Sequence, residues 1–265
     1  MHELDQPLSE FKADVERVEH LLSLIKVFKD FGASIPPAVS TSDPWPSATA
    51  LHLASGRSRT AIPLISGSLQ LYLAGRFEYC ICEVVKAIAE YIASRATKYS
   101  DLPEKLRSSL KTKTLEVAQN PGRFRYTVSD SEALLVRLTE SINTTTAPVP
   151  LASEVISITD SNMGDKMLAD ILSRVGISEF WKDLGKQAEI KLLLQKSTEH
   201  EATSAAQAKL NSIMAERNQV AHPTSSTVFP DADKVLESAR FLKAVATTTV
   251  MLAKVYLASW APPKV

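Results

Sequence analysis

Apolar residues recur every three or four positions along most of this chain, the period of a helix face. Phe11, Val15, Val18, Leu22 and Ile25 trace one stripe and predict a first helix over residues 8–31. Leu71, Ala74, Cys82, Val85 and Ala89 trace another, in a long apolar helix over residues 61–98. Further helices are predicted over 102–118, 129–141 (with Ser129 or Asp130 as N-cap), 164–174, 178–195, 200–221 and 231–259. Residues 32–60 hold Pro36, Pro37, Pro44 and Pro46 among many Ser and Thr, and read as a long loop. Asn120-Pro121-Gly122 reads as a turn, Asn143 to Pro150 as a Thr/Pro loop, and Pro223 to Pro230 as a loop. Only residues 151–159, where Val155, Ile156 and Ile158 fall close together, suggest a short extended piece. The expected fold is an all-α helical bundle with an additional N-terminal helix and long loops: residues 1–60 form the N-terminal segment, and 61–265 the main helical domain.

Two positions break the apolar stripes. In the helix over 200–221 the inward positions are Ala206, Leu210, Ile213 and Met214, and the next residues on that face are Arg217 and Asn218. An ionised Arg on a core-facing stripe is costly unless paired, and such violations concentrate at functional sites. Asn218 and His222 are spaced i, i+4, which places an amide beside an imidazole if the helix persists. Pro223 disfavours helical geometry at His222 and so ends the helix there. Arg suits a phosphate through its planar fork, and His suits proton transfer near neutral pH. Spacing alone also allows an ordinary surface or interface role. The second anomaly is Glu78, inside the stripe of the long helix: either it pairs with a cation, Arg217 being the candidate, or it lies on a wider solvent face.

Composition narrows the choices. The chain has 265 residues, 45% of them hydrophobic, enough for a substantial core. Its 30 basic and 30 acidic residues cancel, which argues against tight non-specific grip on long nucleic acid but leaves room for a small basic cleft reading a few phosphates. The basic run Lys105, Arg107, Lys111 and Lys113 reads as a solvated face or an RNA contact. Cys80 and Cys82 point to different helix faces and read as free thiols of a reducing, cytoplasmic setting. The five histidines are scattered, with no metal-ligand spacing. Neither a signal peptide nor an apolar run of membrane-spanning length is evident, so no membrane role is expected.

Arg217-Asn218-Gln219-Val220-Ala221-His222 resembles the signature of the HEPN superfamily, in the RNxxAH form common in its RiboL-PSP-like branch. Leu71-Tyr72-Leu73-Ala74-Gly75-Arg76-Phe77-Glu78-Tyr79 is similar to an early small-residue helix of that branch. Asp165 to Ile177, ending Arg174-Val175-Gly176-Ile177, is similar to its short helix followed by Leu-Gly-Ile. The likeness covers roughly residues 61–258 and is specific only at the Arg/His motif. Pro223 departs from it, because relatives often carry Gly there.

The resemblance implies an all-α fold that dimerises, with two motifs meeting across the interface in one composite ribonuclease site. It implies Arg217 and His222 as the catalytic pair with Asn218 supporting, RNA as substrate and no cofactor; Glu78 is a further supporting candidate from its place in the stripe of the long helix, not from the resemblance. Members act as toxins or as effectors of bacterial defence, some with an antitoxin or defence-complex partner. Others are inactive and only bind, which keeps a non-catalytic interaction or nucleotide-binding module as the alternative.

Overall fold

The described residues of the computed structural model, 2–36 and 46–261, contain eleven α-helices and no strand. These are α1 (His2–Ala33), α2 (Pro46–Arg57), α3 (Ile62–Arg95), α4 (Glu104–Gln119), α5 (Val128–Asn143), α6 (Ser153–Ile156), α7 (Asp165–Arg174), α8 (Phe180–Lys186), α9 (Ala188–Leu193), α10 (Glu199–Ala221) and α11 (Ala232–Ser259). The chain divides into two compact units, each discontinuous in sequence. Unit one takes in Met1–Glu10, Phe77–Asn211 and Ala244–Val265; unit two takes in Phe11–Arg76 and Ser212–Lys243.

The predicted stripes are buried faces, with one shift. On α1, Phe11, Val15, Val18 and Leu22 are buried as expected, each contributing about 1.5–3 kcal/mol of hydrophobic stabilisation. On α3 the ridge runs through Leu73, Phe77, Ile81, Val84 and Ile88 rather than Leu71, Glu78 and Cys82. Glu78 therefore stands half-buried at the margin of the apolar face, not at its centre.

Unit one is organised around α4, which packs on α5, α6 and α7. Helix α5 is capped two residues earlier than expected. Thr127 Oγ1 accepts from the Asp130 amide at 3.1 Å, and the Asp130 carboxylate accepts in return from the Thr127 amide at 3.1 Å. This reciprocal arrangement satisfies two otherwise orphan donors. A second correction concerns residues 151–159, which are not extended but contain α6. The buried Arg174 explains why: it donates to the carbonyls of Ile156 at 2.8 Å and Ile158 at 2.7 Å, so the backbone there needs no strand partner. Gly176, two residues beyond the end of α7, has a φ of +101° and the hydroxyl of Tyr256 close against where a Cβ would sit, so the position admits only glycine.

Unit two has a core of Val18, Leu22 and Val235, with Ile25, Leu69, Ala232 and Leu236 packed against it. The second half of the expected 32–60 loop is helical, since residues 46–57 form α2; residues 37–45, with Pro37 and Pro44, lie outside the described residues. A composition rich in Ser and Pro concealed a helix that tertiary contact stabilises. Gly32 lets the α2 backbone come close, since a Cβ there would lie 2.8 Å from the Gly56 nitrogen. His52 Nε2 bonds the Ser34 carbonyl at 2.9 Å, and its ring stands edge-on to Phe31.

Asp14 ties α1 to α3. It is almost fully buried, accepting from Tyr72 Oη at 2.7 Å, from Arg17 Nη1 at 2.8 Å and from Arg76 Nε. Burial opposes its ionisation, but the hydrogen bonds from Tyr72 and Arg76 outweigh it and hold the carboxyl below its usual range.

Helix α11 is long and apolar enough to cross a membrane, with a mean hydropathy of 1.4 over an 18-residue window. This differs from the expectation that no segment qualifies. Of that window 56% is buried inside the protein, as in the core helix of a bundle.

Candidate functional site

The motif occupies the last turns of α10. That helix opens with a capping box, in which Glu201 N donates to Thr198 Oγ1 at 3.3 Å and Thr198 N donates to Glu201 Oε2 at 3.2 Å. Its inward stripe, Ala202, Ala206, Leu210, Ile213 and Met214, is buried. The next residues on that face, Arg217 and Asn218, are half-buried, and Val220 closes the helix as its last buried apolar group. The polar intrusion read from the sequence is thus real, and the arginine keeps part of its surface in water.

Arg217 Nη1 donates to Asn218 Oδ1 at 3.2 Å. The Asn218 amide oxygen thus serves the guanidinium rather than an imidazole. His222 stands immediately beyond the helix, as Pro223 requires, and its backbone N–H still reaches the Asn218 carbonyl at 3.0 Å. The expected coupling of Asn218 to His222 is therefore made by backbone, while the imidazole itself is exposed. Beside them Glu216 takes Lys234 Nζ at 2.8 Å and Ser212 Oγ at 3.0 Å on its Oε1. The site offers a cation held by an amide and an exposed acid/base one turn away.

The segment after His222 is firmly placed. Thr224 N donates to Thr227 Oγ1 at 2.7 Å and Thr227 N to the Thr224 carbonyl at 3.1 Å, closing a turn. Phe229 then lies on the α3 backbone at Gly67, where an added Cβ would come within 2.6 Å of the ring and 3.4 Å of Val220 Cγ1. Neither Gly67 nor Phe229 stood out in the sequence. The glycine sits mid-helix, where it is usually a cost of about 0.5–1 kcal/mol, and that cost was the available signal.

Glu78 belongs to unit one, whereas Arg217, Asn218 and His222 belong to unit two. Its carboxylate accepts from Thr159 Oγ1 at 2.9 Å. The neighbouring Cys82 donates to the Ser157 carbonyl at 3.3 Å. Burial, with the charge of Glu78 adding to it, pushes the Cys82 thiol up to about 12, so it is neither nucleophile nor metal ligand near neutral pH. Among the described residues no group of three His, Cys, Asp or Glu side chains is arranged to hold a metal ion.

The family model RiboL-PSP-HEPN matches residues 49–252. The chain belongs to the RiboL-PSP-HEPN family, an all-α class of the HEPN superfamily, whose domains are generally ribonucleases. The matched region begins inside α2, so that helix is part of the family domain rather than a linker. Searches of curated proteins and of solved structures return no match.

Proposed function

We propose that this chain is a metal-independent endoribonuclease that works in the cytoplasm as a toxin or an effector of bacterial defence. His222 acts as general base or acid, and Arg217 stabilises the charge developing on the scissile phosphate. Asn218 orients Arg217 through the 3.2 Å hydrogen bond. Attack by the neighbouring 2′-hydroxyl leaves a 2′,3′-cyclic phosphate. Two copies of the chain supply the two motifs of a composite site.

The observation that carries this reading is the pairing of a half-buried Arg217 with an exposed His222 at one helix end, in a chain of this family. The exposure of the imidazole leaves it accessible to RNA and to a second copy. The competing reading is a non-catalytic interaction or nucleotide-binding module in a defence or toxin–antitoxin complex. Pro223, where relatives often carry Gly, and the zero net charge favour it.

Denaturing-gel analysis of labelled RNA in EDTA separates the two. Cleavage is expected in EDTA, and His222→Ala and Arg217→Ala each lower it by about 10²–10⁴-fold. Full activity in either variant, or dependence on a divalent ion, overturns the assignment. A wild-type chain that cuts nothing as a dimer supports the binding module.

A further inference from the structure

A basic and aromatic cleft lies in unit one, on residues the motif does not involve. It encloses about 500 Å³ and is lined by Lys86, Arg123, Phe124, Arg125 and Tyr126, with Glu78 also on its wall. The volume falls within the range of small-molecule sites. The four consecutive residues Arg123-Phe124-Arg125-Tyr126 alternate guanidinium groups with rings. Both arginines are exposed, and both rings are half-buried.

The local backbone is built to hold this display. The 3-10 turn Pro121–Phe124 is closed by Arg125 N to the Gly122 carbonyl at 3.2 Å and by Tyr126 N to the Pro121 carbonyl at 3.0 Å. That pattern puts Arg125 in the left-handed region, at φ 63°, where glycine is the usual occupant.

The charges are partly spoken for, and the remainder is informative. Lys86 pairs with Glu83 at 2.7 Å, and the cleft's second carboxylate, Glu154, with Arg137 at 3.0 Å. Arg123 lies 3.7 Å from Asp160, whose other oxygen holds Lys113 at 2.6 Å. Arg125 makes no ion pair among the described residues. Arg123 also lies over the Phe124 ring, 5.4 Å from its centroid, so Arg125 is the guanidinium left without an ion pair, beside the Tyr126 ring and the Glu78 carboxylate.

We propose that this cleft binds single-stranded RNA, one nucleotide of which stacks its base on Tyr126. Arg123 and Arg125 take the flanking phosphates, and the Glu78 carboxylate accepts an N–H from the base edge. Rings accept any base face, and guanidinium groups take phosphates, which together are the physics of single-strand binding. A duplex hides both the face and the edge, so it is excluded. The inference takes RNA as the ligand from the proposed function but concerns different residues, and binding is measured without cleavage.

The test uses the full chain and a fluorescein-labelled 12-nucleotide RNA of mixed sequence carrying 2′-O-methyl groups, which lacks the attacking hydroxyl. Fluorescence anisotropy is expected to show binding that the Arg123→Ala/Arg125→Ala variant weakens at least about tenfold, with a salt slope smaller by about 1.4. Tyr126→Leu is expected to weaken it by about fivefold or more, while circular dichroism confirms that each variant is folded. Unchanged affinity and slope in the double-arginine variant, absence of binding by the wild type, or equal binding of the matched duplex overturns the proposal. If arginine-dependent binding persists in a chain that cuts no RNA, the ribonuclease reading fails and the cleft stands. If the wild type cuts RNA but the arginines do not affect binding, the cleft fails alone.

Discussion

Phe229 rests its ring on the backbone of Gly67, so closely that a Cβ at position 67 would lie 2.6 Å from the ring. The contact fixes the return of the chain seven residues after His222, and Val220, within the motif, shares it. On the role proposed for His222, blurring its position by even about 1 Å lowers the rate of cleavage.

Gly67→Ala therefore displaces the ring. Overpacking of this kind costs typically about 1–3 kcal/mol, read as a lower denaturant midpoint. RNA cleavage is expected to fall more than stability alone accounts for, because the His222 segment moves with Phe229. Wild-type cleavage in a folded Gly67→Ala protein would show that the contact is only packing.

Asp14 links the fold to pH. Its carboxyl is held below the usual range in the folded state, so the folded form favours the ionised group. Its stabilisation is fully present above the unfolded value of about 3.9 and is lost as pH falls through the lower folded value. Asp14→Asn is expected to lower stability at pH 7 and to flatten the acid limb of the curve. Chemical denaturation at pH 7 and at successively lower values down to pH 2 measures both, and parallel curves for wild type and variant would remove Asp14 from the account.

Neither Cys80 nor Cys82 is in a disulfide, Cys80 is buried, and Cys82 is pushed up to about 12 by burial and by Glu78. The native protein is expected to react negligibly with an aromatic disulfide reagent at pH 8, and to expose both thiols once unfolded in guanidinium. Rapid stoichiometric reaction of the native chain would contradict the buried environment.

Arg125 occupies a left-handed position that costs a residue with a Cβ about 1–2 kcal/mol. Arg125→Gly should raise stability by about 1 kcal/mol while weakening the binding of single-stranded RNA. A gain in both would mean that the side chain has no part in the ligand site.

Much of this was legible in the sequence because helix periodicity is a local property. The stripes of α1 and α10, the end of α10 at Pro223 and the polar intrusion at Arg217 and Asn218 are all as the pattern indicates. What failed depended on neighbours distant in sequence. Pro46 to Arg57 looked like linker because nothing local announces that Gly32 makes room for it. Val155 and Ile156 looked extended because the buried arginine that satisfies their turn comes eighteen residues later. The cleft was missed because its flanking Lys86 and Glu78 come from α3, well before Arg123.

The sequence by itself determined the all-α class and most helix bounds, since each rests on spacing within a turn or two of helix; the family came from the resemblance of its motifs, and the Arg217/His222 pair is a candidate site read from them. Only the tertiary structure decided that Asn218 serves Arg217 rather than the imidazole, that Phe229 pins the following loop, and that Arg123 and Arg125 share a cleft with two rings. Those are matters of which surfaces meet. Burial and hydrogen-bond geometry between segments settle them, and a one-dimensional period carries no record of either.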